Sequence, residues 1–198
     1  EAAVVVYLRI IHYPDGFDFP LQAEAVSTLT TELGREAATL LMLLAIGFLG
    51  GRSRIERFAY VILSFGLWDI FYYVWLKVLI DWPASLLTWD LLFLIPLPWV
   101  GPVIAPVLVS AAMIGAALEI IRSQDRGIIL IFPRWAWWVQ IAAGLFIIAS
   151  FLWDYQNIVS GGYPYPFRWD LFSIGWLGGI ALFIILILPQ HKATTRKR

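Results

Sequence analysis

The chain has 198 residues, 61% hydrophobic and 14% charged, with a mean hydropathy of +0.78. Fourteen basic residues balance fourteen acidic ones, so the formal net charge is zero. Soluble chains run about 45–50% apolar and about 25% charged, so this composition excludes a soluble enzyme, a disordered tail and a nucleic-acid binder. The absence of cysteine removes disulfides, thiolate nucleophiles and iron–sulfur ligation.

In chain order, residues 1–11 come first, apolar from the second residue onward and too short to cross a bilayer. They read as the exit end of a truncated sixth span, with a helix lying on the membrane surface as the alternative. A spanning helix needs about 20 mostly apolar residues, and five stretches qualify: 30–51, 57–80, 101–121, 134–153 and 169–188. The apolar run 91–121 is too long for one straight span. Pro96, Pro98, Pro102 and Pro106 break its first third, which predicts a short interfacial segment before a helix from about Gly101. The fold expected is all-α, a single transmembrane helical bundle over residues 1–198.

Basic residues in short loops orient such a chain. Arg52, Arg54 and Arg57, then Arg122, Arg126 and Arg134, then Lys192, Arg196, Lys197 and Arg198 fall on one side. That side holds ten basic against three acidic residues, and the other holds four against eleven. The expectation is a multi-pass protein of the cytoplasmic (inner) membrane with a cytoplasmic C-terminus and an acidic outer face.

Ser64-Phe-Gly-Leu-Trp-Asp69 resembles Ser150-Phe-Leu-Trp-Asp154, and Trp89-Asp-Leu-Leu-Phe93 resembles Trp169-Asp-Leu-Phe172. Spans two and three therefore read as one copy of a helical hairpin and spans four and five as a second. The distances from Arg57 and Arg134 place Asp69 nearer mid-membrane and Asp154 at the outer surface.

Asp69, Tyr73, Lys77 and Asp81 recur every four residues along one helix face. One reading is a polar track from outside to Asp69, since an intramembrane carboxylate normally faces protein or water. The other is a surface Lys77–Asp81 pair with Asp69 bonded to a Tyr or Trp of a neighbouring helix. Glu32, Arg35 and Glu36 open span one, where capping and ion pairing account for them; the alternative clusters them with Asp69, with Arg35 and Glu36 in one candidate site. Asp90, Asp154 and Asp170 each follow a Trp near the outer interface, and a site reading would gather them around a ligand. His12 and His191 fall on opposite sides, so no metal site is expected, and no catalytic motif is present. Ser110 and Ser173 read as ordinary small residues. Gly175-Trp-Leu-Gly-Gly179 and the Ala111–Gly115 pair are close-packing signals that serve either this chain or a neighbour.

Residues 1–9, the Tyr13-Pro-Asp-Gly-Phe-Asp-Phe-Pro20 loop and the Trp89-Asp-Leu-Leu-Phe-Leu-Ile-Pro96 run resemble uncharacterised bacterial multi-pass membrane proteins. That resemblance implies an upstream helix and carries no activity or catalytic residue. Weak catalytic signals beside strong packing signals predict a non-catalytic or accessory subunit of a larger bacterial membrane complex, with other membrane subunits as partners. The alternatives are a small transporter or binder loading from outside through Asp69, Tyr73 and Lys77, and an enzyme using outer carboxylates on a lipid-like substrate. No cofactor is expected, although the many Trp and Phe leave room for a bound lipid or hydrophobic pigment.

Overall fold

A computed structural model describes residues 1–21, 29–95 and 97–195. Pro96 and the basic residues 196–198 of the orientation argument lie outside the described residues. The elements are α1 (Ala2–His12), α2 (Leu29–Gly50), α3 (Arg54–Ile80), β1 (Trp89–Phe93), β2 (Trp99–Pro102), α4 (Ile104–Asp125), α5 (Arg134–Leu152), α6 (Tyr155–Val159) and α7 (Trp169–Thr195).

Five of these helices are long and apolar enough to cross a membrane. Only 22–28% of each spanning window is buried inside the chain. Leu41, Phe48, Leu49, Val78, Trp138 and Ile185 are among the large apolar side chains left exposed. A water-soluble fold does not leave so much contiguous apolar surface uncovered, whereas lipid covers it without cost. The all-α class holds, and the chain is a multi-pass membrane protein.

Local sequence sets the helix ends. Ser53 caps α3 by accepting from the Glu56 N–H at 3.1 Å, and the Glu56 carboxylate accepts in return from the Ser53 and Arg52 N–H groups. This reciprocal box satisfies donors that the first helical turn leaves free. At the other end Asp81 adopts a left-handed conformation (φ 52°) and returns its N–H to the Leu76 and Lys77 carbonyls.

The main departure from expectation lies between the second and third spans. Residues 89–102 form an antiparallel β-hairpin, not an interfacial segment leading directly into a helix. Prolines deny this stretch a continuous helical ladder, so the backbone groups pair across two short strands. Asp90 stands opposite Gly101, and Leu91 opposite Val100. The third span consequently starts at Ile104, three residues later than expected. The hairpin also breaks the proposed duplication, because Trp89–Phe93 is a strand while Trp169 opens a helix. In the other half, Asp69 lies inside α3 whereas Asp154 lies beyond the end of α5. Ser64 and Ser150 each donate to the carbonyl three residues earlier.

Helix α3 packs on α4 and α5 on α7, while α2 and α1 both lie against α3. Close approach depends on glycine at the two main contacts. A Cβ on Gly66 would stand 2.8 Å from the Ser110 carbonyl, and one on Gly175 would stand 2.4 Å from that of Ala143. The Gly175/Gly179 face is thus consumed inside the chain, against α5. The Ala111/Gly115 face is not, for a Cβ on Gly115 would meet nothing within 4 Å. Trp176 Nε1 donates to the Leu108 carbonyl at 3.0 Å and ties the two helix pairs together. At the hairpin end, Phe19, Val100 and Ile158 form a small core with Phe17, Leu21, Trp89 and Leu91. This core joins the loop after α1, the hairpin and α6 in a layer at one end of the spans, to which α1 is tied through Arg9.

Candidate functional site

Beneath that layer lies a cavity of about 630 Å³, walled by α1, the start of α2, α3, β1 and α6. Most of its wall is apolar, including Val5, Leu8, Leu33, Leu91 and Ile158, and its polar groups include Arg9, Asp69, Tyr73 and Asp90, with Glu1, Glu32 and Arg35 at the start of α1 and α2. A concave apolar space with a few convergent polar groups is the usual form of a small-molecule site.

Asp69 sits just past the middle of α3, one turn before Tyr73 on the same face. Its Oδ2 accepts from Ser110 Oγ on α4 at 2.8 Å, so its helix neighbour is a serine and not the Tyr or Trp expected. Among the described residues Asp69 has no basic partner. Tyr73 is buried, stacks on Trp82, and its phenol lies beside Asp90. Lys77, one turn further on, points away from the cavity. It is half exposed and pairs with Asp81 at 2.7 Å. The four-residue track is therefore cut after Tyr73, because the end of α3 projects past the layer that covers its middle.

Asp90 is fully buried, and its Oδ1 takes the Arg9 guanidinium at 2.8 Å and the Leu91 N–H at 2.9 Å. Burial pushes the Asp90 carboxyl up to about 6, against the opposing pull of Arg9. Arg9 is itself 7% exposed and lies 3.7 Å over the Trp82 ring and 4.6 Å over Phe17. Guanidinium on aromatic faces is a favourable way to desolvate a cation. Yet Arg9 Nη1 and Asp90 Oδ2 are buried without a hydrogen-bond partner, as is His12 Nδ1 in the same wall. Unsatisfied buried polar atoms are rare and call for a partner such as a water, an ion or a bound molecule.

The remaining sequence candidates divide clearly. Arg35 borders the cavity and pairs with Glu32 at 2.8 Å and with Glu1. Glu36 lies behind the wall, where both carboxylate oxygens accept from the Leu94 N–H at 3.0 and 3.1 Å. It straps the hairpin to α2 and so positions Asp90, a role beyond helix capping. Asp154 is occupied by Asn157 and the Tyr165 N–H, which fold its loop. Asp170 pairs at the surface with Arg168, whose guanidinium covers Trp153 at 4.0 Å. Neither Asp154 nor Asp170 borders the cavity.

Sequence reasoning missed Arg9, Ser110, Tyr72, Trp82 and Phe17. A signal existed for Arg9, since a lone cation in an otherwise apolar run demands a partner. Ser110 carried none. Compared with known proteins, the chain matches no family model, and no curated protein or solved structure is significantly similar to it.

Proposed function

We propose that this protein is a ligand-binding membrane protein that takes a small amphiphilic molecule into the cavity under the hairpin layer. Charge bias in the loops supports a reading in which that layer faces the outer side of a cytoplasmic membrane, with the C-terminus inside. The observation that carries the reading is the pair of unpartnered atoms, Arg9 Nη1 and Asp90 Oδ2, beneath apolar walls. A donor and an acceptor side by side suit a polar head group, and the leucine-rich walls suit its hydrocarbon. Of the three residues expected to line a loading path, Asp69 and Tyr73 serve this reading and Lys77 does not. An acid–base reaction draws less support, because Asp90 is tied by Arg9 and two of the four outer carboxylates lie elsewhere.

The test is chemical. Full-length protein purified in a mild detergent should release, on organic extraction, a molecule that mass spectrometry finds in stoichiometric amount. Leu33→Trp, which fills the cavity, should be depleted of it. Identical extracts from the two proteins would defeat the proposal.

A second reading, an accessory subunit of a membrane complex, draws on a different observation. An apolar groove of about 510 Å³ runs between the α3/α4 and α5/α7 pairs, lined by Gly115, Ala112, Trp137 and Phe183. Gly115 borders it, and the open Ala111/Gly115 face has the small residues that suit close approach of a helix. Gly115→Leu should then abolish co-purification of a partner chain without altering folding, whereas unchanged recovery of the same complex would remove this reading.

A further inference from the structure

The charges around the cavity do not cancel. Arg9 neutralises Asp90 at 2.8 Å, and Arg35 is shared between Glu32, at 2.8 Å, and Glu1, which also borders the cavity. Asp69 is left over. It borders the cavity within a membrane span, with one oxygen held by Ser110 and no basic partner among the described residues. Trp68, Tyr72 and Tyr73 line the wall beside it. A carboxylate in such a place is costly unless a proton or a cation meets it.

We infer that the ligand is an organic ammonium: an amphiphilic amine whose charged nitrogen sits against Asp69 and the aromatic wall, with a hydrogen-bonding group toward Arg9 and Asp90. The inference rests on the ligand-binding reading above and adds the charge of the ligand to it.

Three observations separate this class from its rivals. A metal ion needs several hard ligands at once, and no group of three His, Asp or Glu that could hold one occurs among the described residues. An anionic head group would approach Asp69, Asp90 and Glu32 together, while the guanidinium it needs is already engaged by Asp90 and covered by Trp82 and Phe17. A neutral head group satisfies Arg9 Nη1 and Asp90 Oδ2 but offers Asp69 no charge, so that only a proton could meet it. Aromatic rings attract an ammonium through their negative faces, so Trp68, Tyr72 and Tyr73 act in the same direction as the carboxylate. The unpartnered Arg9 and Asp90 atoms, both on side chains more than nine-tenths buried, are independent of Asp69 and point to a bound molecule with its own donor and acceptor.

The experiment uses the full chain in lipid nanodiscs and three probes that share one chain length: hexylammonium, hexanol and hexanoate, each radiolabelled. Equilibrium binding should rank the ammonium about tenfold or more above the alcohol, the equivalent of one compensated charge at about 1.4 kcal/mol, with hexanoate weakest. Asp69→Asn should bring hexylammonium down to the level of hexanol and leave hexanol unchanged. Equal binding of ammonium and alcohol to the native protein would overturn the charge assignment while leaving the ligand-binding reading intact. No binding of any probe, together with unchanged extracts from Leu33→Trp, would overturn both. The comparison among probes on native protein needs no variant, so it decides the matter even if Asp69→Asn fails to fold.

Discussion

Replacing Arg9 by Met strands the Asp90 carboxyl, which is fully buried and has that guanidinium at 2.8 Å as its only charged partner among the described residues. Removing one member of a buried ion pair costs about 3–5 kcal/mol. The change also deletes guanidinium stacking on Trp82 and Phe17, in which each contact contributes about 0.5–2 kcal/mol, partly retained by the Met side chain. A loss of about 3–5 kcal/mol is therefore expected at neutral pH. The penalty should depend on pH in a defined direction. Burial holds Asp90 at about 6 even with Arg9 present, and losing Arg9 raises it further. A carboxyl whose folded pKa exceeds its unfolded value stabilises fully below the unfolded pKa, and that stability is lost as pH rises through the folded pKa. In the native chain the loss ends just above about pH 6. In Arg9→Met it continues upward at about 1.4 kcal/mol per pH unit, so the gap between the two proteins widens on the alkaline side. The double variant Arg9→Met/Asp90→Leu removes both charges and should lose less than either single change, because an apolar replacement of a whole buried pair is often neutral. Reversible unfolding of the full chain in mixed micelles, with a denaturing detergent as the variable, measures all four proteins. Additive single losses, or an Arg9→Met penalty that stays flat with pH, would refute the reasoning.

Gly66→Ala should destabilise by about 1–3 kcal/mol by overpacking α3 against the Ser110 carbonyl. Gly178→Ala meets nothing within 4 Å and should gain up to about 1 kcal/mol in the same assay. Ser53→Ala removes the cap from α3 and should lose about 0.5–2 kcal/mol, with faster amide exchange confined to the first turn. Lys77→Met, at a half-exposed surface pair, should shift stability by less than about 0.5 kcal/mol. It should also leave the extracted ligand unchanged, and a loss of ligand would place Lys77 in the site after all.

The site was legible only in part, and the pattern of success follows distance along the chain. Asp69 and Tyr73 were readable as neighbours because four residues of helix put them on one face. Lys77 obeyed the same arithmetic and still left the site, since periodicity fixes a direction around the helix but not how far the covering layer extends. Arg9 and Asp90 are 81 residues apart, and no local pattern pairs them. Glu36 looked like part of a helix start, and its bond to the Leu94 N–H, 58 residues away, became visible only with the hairpin in place. The prolines at 96, 98 and 102 announced that a continuous helix could not form there, but not that two strands would, while Pro106 fell in the first turn of α4, where its missing N–H is tolerated.

Composition and run length by themselves determined the solvent, the five spans and the sorting of acids from bases, because each depends on residues within about 20 positions of one another. Zero net charge concealed that sorting, and alternation of the loops revealed it. Only the tertiary structure decided which acids border the cavity. It neutralised Asp90 with Arg9, spent Asp154 and Asp170 on loop and surface contacts, and left Asp69 facing a cavity without a basic partner among the described residues. The physical reason is that a buried charge is judged by what lies within a few ångströms of it in space, and in this chain those neighbours come from α1, α3, α4 and the hairpin between two spans.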